Sequence, residues 1–146
     1  MELSSAAEFV RLRSSQDPHD YGAADRGTAT VNIWREVLAD HPDFRRWVAH
    51  NKTVPLEILE TLAVDTDPRV RAAVASQQSL TEALFDRLAA DDEDAVRLRI
   101  VHNAATPRPV LERLVHDPYD LVSARARVRL GGIASRSGHA EPSSLG

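Results

Sequence analysis

The chain has 146 residues, of which 42% are hydrophobic and 27% are charged, and its formal net charge is −4 at pH 7. This length suits one domain with a substantial core, and no apolar run approaches the roughly 20 residues of a membrane span. The absence of cysteine excludes disulfides, zinc ribbons and thiolate-held iron–sulfur clusters. The negative charge weighs against non-specific nucleic-acid binding, although a net charge can conceal a local basic patch.

Residues 1–43 are predicted to form an N-terminal helical cap. Ser5 and Glu8 make a capping-box pattern, which predicts a helix that continues to about Ser14. Pro18 is expected to break this helical pattern, because a proline disfavours helical geometry at the residue before it. Thr30 is expected to cap a further helix over residues 31–39. A repeat protein needs such an atypical end segment to cover the apolar flank of its first repeat.

From residue 44 to about residue 130 the sequence repeats with a period of 26 residues. The stretch Asp65–Ala75 recurs with its apolar positions aligned in two columns, which are Phe44, Val70, Val96 and Val122, and Val48, Val74 and Ile100. A fixed period of this size is typical of repeat proteins, in which each unit buries its apolar face only against its neighbours. The repeats are therefore predicted to form one continuous stack.

Each repeat contains two helical stretches. The second carries the recurring motif, and the first covers residues 53–63 and its copies at 79–89 and 105–115. Thr53 and Ser79 are expected to cap the first helices, with Pro55 and Pro107 in the first turn, where a missing N–H costs little. Residues 131–146 are rich in glycine and serine, so a disordered tail is predicted there.

The motif residues resemble a known family. Asp65-x-x-Pro-Arg-Val-Arg-Ala-Ala-Val-Ala75 and Thr106-Pro-x-x-x-Leu-x-x-Leu114 resemble the leucine-rich repeat variant, a short helical repeat similar to HEAT repeats. The resemblance covers residues 44–130. It implies an all-α fold, a short right-handed α-solenoid of paired helices, with the second helix of each pair often shorter or 3₁₀-like. Some members hold a cysteine-bound iron–sulfur cluster, which does not carry over to a chain without cysteine, and no cofactor is expected.

Charge is segregated between the two helical stretches. The second stretches hold nine arginines and no acid, and three of the arginines recur at one column while three aspartates recur in the turns. The recurring residues are Arg45, Arg71 and Arg97, and Asp65, Asp91 and Asp117. Two interpretations are open, a basic face for an acidic protein or a nucleic-acid backbone, and a structural ladder of bidentate ion pairs. For this column the ladder is favoured, because packing also produces recurrence at the repeat period.

The better candidates for partner binding are positions where the repeats differ. Arg99, Arg125 and Trp47 share one column with Ala73, so packing alone does not dictate their identity. The residues predicted to bind a partner are Trp47, Arg46, Arg99, Arg125 and Arg127.

Two further columns are given structural interpretations. His50 and His102 are equivalent positions two units apart, too distant to share a metal ion, and no metal site is predicted. Asn51, Gln77 and Asn103 fall at one column just beyond the second helix, where a side-chain amide can satisfy loop backbone groups.

No catalytic motif is present, so the protein is predicted not to be an enzyme. The acids at 91–94 lie in a predicted solvated turn, which cannot raise a carboxyl pKa by burial. One enzyme class stays open, because HEAT-like DNA glycosylases use a basic face with tryptophan, and Trp34 and Trp47 are compatible with it. That class requires a buried acid beside Trp47.

The sequence thus predicts a non-enzymatic protein-interaction module of the bacterial cytoplasm, an adaptor or an immunity-type inhibitor. Its partner is expected to be a protein of acidic or mixed charge, and nucleic acid is the alternative. The N-terminus lacks a secretory signal pattern, and no membrane association is expected. A homodimer through residues 1–43 or 115–130 is a further option.

Overall fold

The computed structural model describes the backbone of residues 1–137 and the side chains of residues 1–133. Within this range the chain is built from helices, with one isolated parallel bridge between Glu2 and Thr28, so the all-α prediction is confirmed. The helices are α1 (Ala6–Ser14), α2 (Pro18–Arg26), α3 (Val31–Asp40), α4 (Arg45–His50), α5 (Leu56–Leu62), α6 (Pro68–Ala75), α7 (Glu82–Ala89), α8 (Asp94–His102), α9 (Arg108–Leu114) and α10 (Asp120–Ser137), with a 3₁₀ turn at Pro42–Phe44. None of these helices is long and apolar enough to cross a membrane.

The N-terminal segment forms three capped helices. The Ser5 hydroxyl accepts a hydrogen bond from the Glu8 backbone N–H at 3.1 Å, as the capping pattern predicts. The expected break is confirmed, since α1 ends at Ser14 and Asp17, the residue before Pro18, is extended. Pro18 itself begins α2, a position that suits proline, with Asp17 accepting from the His19 N–H at 2.8 Å.

The helices that carry the motif pack against each other in chain order. Helix α4 contacts α6, α6 contacts α8, and α8 contacts α10, while α5, α7 and α9 connect them. The aligned apolar residues are buried at these contacts, and they are Val48, Val70, Val74, Val96, Ile100 and Val122. Helices of six to nine residues, as in α4–α9, are marginal alone in water, so this packing is what makes them stable.

The first helix of each repeat begins later than predicted. Helix α5 begins at Leu56, the same repeat column at which α7 and α9 begin, and the Thr53 hydroxyl is used in the preceding turn, donating to the Gly27 carbonyl at 2.9 Å. Thr81, not Ser79, caps α7 by accepting from the Leu84 N–H. The second helices α6 and α8 are no shorter than the first helices, in contrast to what the family resemblance implies.

Helix α10 continues to Ser137, past the predicted boundary at residue 130. The rest of the predicted tail, residues 138–146, lies outside the described residues.

The recurring arginines and aspartates join consecutive repeats, and we call this set the Arg–Asp ladder. Arg71 donates from Nε and Nη2 to the Asp91 carboxylate at 2.8 and 3.0 Å, and Arg97 donates in the same way to Asp117 at 2.7 and 3.1 Å. Each arginine also donates from Nη1 to a carbonyl of its own preceding turn, Asp65 or Asp91, at 2.8 Å. Arg45 and Asp65 make a longer contact of 3.5 Å. The ladder therefore connects the turns of consecutive repeats from Asp65 to Asp117.

A second series of hydrogen bonds crosses the repeats through buried side chains. The Gln77 amide donates to the carbonyls of Ala49 and Asn51, and the Asn103 amide donates to those of Ala75 and Gln77, all at 2.6–2.9 Å. Asn51 begins this amide ladder by donating to Ala24 and Gly27. Each side chain thus satisfies the carbonyls at the end of the preceding repeat's second helix.

Arg129 occupies the next position of this column, 26 residues after Asn103. Its Nη1 donates to the Val101 and Asn103 carbonyls at 2.8 and 2.6 Å, so a guanidinium replaces the amide in the last repeat. The sequence comparison did not assign this role to Arg129.

Replacement of Asn103 by alanine should lower the free energy of unfolding by roughly 2–4 kcal/mol, because two buried carbonyls lose their donor. Asn103 is 6% exposed and also accepts from the Ala105 N–H. Urea unfolding measures the change, and Asn32→Ala at an exposed position of α3 is the matched control, expected within about 0.5 kcal/mol of wild type. Equal effects of the two substitutions would contradict the role of the amide ladder.

A double-mutant cycle on Arg97→Ala and Asp117→Ala should give a coupling free energy of about 1–3 kcal/mol. The two side chains are only 12% and 3% exposed, so solvent screens their attraction weakly. The exposed pair Arg108 and Glu112, at 58% and 54%, is the control and should couple by less than about 1 kcal/mol. A coupling for Arg97 and Asp117 no larger than this control would argue against the ladder as a stabilising element.

Candidate functional site

A cleft of about 370 Å³ lies across the neighbouring helices α4, α6 and α8, and we call it the basic cleft. It is lined by Arg46, His50, Pro68, Arg69, Ala72, Ala73, Ser76, Glu93, Ala95 and Arg99. Its centre is made by small side chains of α6, which contacts both α4 and α8. Ala72 and Ala73 align by the 26-residue repeat with Arg46 and Trp47 on one side and with Leu98 and Arg99 on the other. The cleft therefore forms where small residues stand between large ones.

The charge of the cleft comes from arginines that the Arg–Asp ladder does not use. Arg46, Arg69 and Arg99 are exposed, and Glu93 is the one acid among the lining residues. Arg69 is paired with Asp67 at 3.0 Å, whereas no carboxylate in the described part of the chain lies within ion-pair distance of Arg99. An exposed guanidinium offers a planar pair of donors that matches a carboxylate. The arrangement is suited to binding an anionic group.

His50 adds a neutral polar group to the wall of this cleft. The residue is half-buried, and its ring lies 5.8 Å from the ring of Trp47. Burial lowers the pKa of His50 below its ordinary value of 6.5, and the positive charges of Arg46 and Arg13 lower it further. The imidazole is therefore uncharged at neutral pH, and the positive charge of the cleft comes from arginine alone.

Trp47 is partly covered by the N-terminal cap. The Arg13 guanidinium carbon lies 3.8 Å from the centre of the Trp47 ring and 4.5 Å from that of Tyr21, and Arg13 also pairs with Asp25. This cation–π contact joins α1 and α2 to the first repeat. Trp47 lines a smaller cleft next to the basic cleft, together with Pro42, Asp43, Arg46, Asp67, Arg69 and Val70.

The structure brings together only part of the predicted partner-binding set. Arg46 and Arg99 line the basic cleft, and Trp47 lies at its neighbour. Arg125 and Arg127 are exposed on α10 and line neither cleft, and Arg127 donates to the Val115 carbonyl at 3.3 Å. The predicted surface is therefore not one continuous site.

Eight of the ten residues that line the basic cleft were not singled out as partner-binding residues from the sequence, and four of these eight are polar. Arg69 and Glu93 precede or begin the motif helices, and the repeat comparison gave them no separate role. His50 and Ser76 share a column that had been interpreted as a polar repeat position. The signal that could have found the site is the pair of alanines on α6 flanked by large residues on α4 and α8.

Among the residues that the structure describes, no buried acid lies beside either tryptophan, as glycosylase-like chemistry would require. Trp34 is fully buried and packs edge-on against Phe9 at 5.2 Å. Of the acids beside Trp47, Asp43 is exposed and Asp67 is half-exposed, and hydrogen bonds from Arg69 lower the pKa of Asp67. The Asp67 carboxyl therefore stays ionised and does not serve as a general acid at neutral pH. Within the described residues, no group of three or more acidic or histidine side chains is placed to hold a metal ion.

No match to the chain was found among family models, among characterised proteins or among solved structures. The family resemblance described above therefore stays a prediction.

We expect an NMR titration to give a pKa for His50 below 6.5, and Arg46→Gln to raise it towards that value by removing a positive charge. The sign follows from linkage, since the unfolded chain binds the proton more readily. The contribution of His50 to stability is complete above pH 6.5 and is lost as the pH falls below it. A folded-state pKa at or above 6.5 would contradict the burial and charge described here.

Proposed function

We propose that the protein is a non-enzymatic interaction module, a short right-handed α-solenoid that binds an acidic segment of another protein in its basic cleft. The observation that carries the proposal is the convergence of Arg46, Arg69 and Arg99 on one cleft with a floor of alanines. These arginines project from three consecutive repeats. An extended partner can therefore contact several repeats at once, which is how repeat proteins use their surfaces.

The solenoid part of the proposal is supported by the order of the contacts. The 26-residue recurrence, the serial packing of α4, α6, α8 and α10, and the two ladders all connect each repeat to its sequence neighbours. The same features agree with the resemblance to the leucine-rich repeat variant. The connection between repeats stabilises the cleft, because the helices that form it are short.

Nucleic acid is the second candidate, and the arginines favour it while the surrounding charges oppose it. Glu93 lines the cleft, and Asp94 follows it in the chain at the start of α8. A phosphate backbone needs a basic surface that continues over several nucleotides. A protein segment with separated carboxylates fits this mixed surface better.

The proposal predicts that the double variant Arg46→Glu and Arg99→Glu loses its protein partner. Two charge reversals at the centre of an interface should weaken binding by tenfold or more, which corresponds to about 1.4 kcal/mol or more. The measurement is affinity capture from nuclease-treated extract of the source cells, with bound proteins quantified by mass spectrometry for wild type and variant. The proposal requires a protein that wild type retains and the double variant does not.

The control is Arg11→Glu, an exposed arginine of α1 that does not line the cleft. It changes the net charge in the same direction and should retain the partner. Equal losses for the control would show that net charge alone governs capture. If proteins are captured only from extract that has not been treated with nuclease, the result would favour nucleic acid as the partner.

A further inference from the structure

The floor of the basic cleft has a different chemistry from its rim. Pro68, Ala72, Ala73 and Ala95 present apolar surface, whereas the arginines stand around it. The Ser76 hydroxyl donates to the Ala72 carbonyl at 3.1 Å, so its proton is already used within α6. A purely anionic ligand would leave this apolar floor without a contact. An occupant that fills the cleft must combine an apolar group with flanking negative charges.

The spacing of the repeats sets the distance between those charges. Packed helices lie about 8–10 Å apart, so the axes of α4 and α8, on either side of α6, are separated by roughly 16–20 Å. In an extended peptide the residues i, i+2 and i+4 point to one side, and i and i+4 are about 13 Å apart. Arg46 on α4 and Arg99 on α8 both line the cleft, and an arginine side chain is long enough to make up the difference between these two distances.

We propose that the basic cleft binds an extended peptide segment of the pattern acidic–x–apolar–x–acidic, which crosses α4, α6 and α8. The two carboxylates pair with Arg46 on one side and Arg99 on the other, and the apolar side chain lies on Ala72 and Ala73. Arg69 stands beside the floor, where its charge is shared with Asp67. This inference rests on the proposed function and specifies the partner's sequence at the same site.

Glu93 gives the cleft a means to reject other anions. Its carboxylate accepts hydrogen bonds and repels phosphate, and an extended peptide supplies free backbone N–H groups that such an acceptor can bind. A nucleic-acid strand supplies phosphates at every nucleotide, so one of them would face Glu93. The acid in the lining therefore favours a peptide over a polyanion.

The test uses the full-length protein and two fluorescent peptides of identical composition. In the first, Glu-Ser-Leu-Ser-Glu, the leucine shares a side with both glutamates, and in the second, Glu-Leu-Ser-Ser-Glu, it points to the opposite side. Anisotropy titrations at low salt should give at least tenfold tighter binding for the first peptide. Arg99→Glu should reduce that binding about tenfold, and Ala95→Glu, at an exposed position of the lining, should reduce it at least fivefold.

The matched control is Arg125→Glu, which lies at the same repeat column as Arg99, one repeat further on, and does not line the cleft. It should leave peptide binding within about twofold of wild type. The His50 ring resonance should shift on adding the first peptide and not the second, which locates binding at this cleft. Circular dichroism of each variant verifies the helical fold.

Equal affinity for the two peptides would overturn the pattern, and so would a loss with Arg125→Glu as large as that with Arg99→Glu. Tighter binding of a single-stranded or duplex oligonucleotide of similar length would overturn it in favour of nucleic acid. The two proposals fail separately. If the first peptide does not bind while a protein partner is captured through Arg46 and Arg99, only the sequence pattern is wrong.

Discussion

The structure depends on hydrogen bonds that side chains of one repeat donate to backbone carbonyls of the repeat before it. A helix leaves its last carbonyls without partners, and a stack of helices shorter than three turns has many such ends. Gln77 and Asn103 each donate to two carbonyls of the preceding repeat, and these side chains are buried. Because an unsatisfied buried carbonyl is costly, the repeats are stable together and marginal apart. At the opposite end of the motif helices, the arginines of the Arg–Asp ladder donate to a carbonyl of their own turn and to the aspartate of the next repeat.

The hydrogen bonds between repeats divide the arginines into two groups, those that make such bonds and those that do not. Arg71 and Arg97 have their donors committed to a carboxylate and a turn carbonyl, so they offer little to a partner. Arg46 and Arg99 stand at columns that the stack leaves free to vary. The candidate site is therefore built from variable positions, and its shape comes from the difference between neighbouring repeats. Two alanines on α6 produce a depression only because α4 and α8 carry larger residues at the same columns.

The period of the sequence made the buried valines, the Arg–Asp column and the amide column predictable, because all three are copies of one local arrangement. Features that occur once were not predictable in the same way. The stacking of Arg13 on Trp47 joins segments 34 residues apart, and no repeating pattern in the sequence predicts this contact. Thr53 was expected to cap α5, but its hydroxyl bonds to Gly27 in the N-terminal cap, a partner that only the folded chain brings near. Only part of the basic cleft was predicted, since the sequence pointed to Arg46 and Arg99 but not to the alanines that form the floor between them.

At the last position of the amide ladder a guanidinium replaces the amide, and α10 continues to Ser137 where the other motif helices end. Asn51 and Asn103 donate to the preceding repeat and also accept from the N–H two residues ahead, Thr53 or Ala105, at 2.8 and 2.9 Å. That second bond holds the turn that follows α4 and α8. It is not required to end a motif helix, because Gln77 makes no such bond within the described residues and α6 still ends at Ala75. Arg129 reproduces the donations to Val101 and Asn103, and a guanidinium has no acceptor atom for the second bond. The stack therefore requires a donor at this column, whereas the acceptor serves only some of the turns.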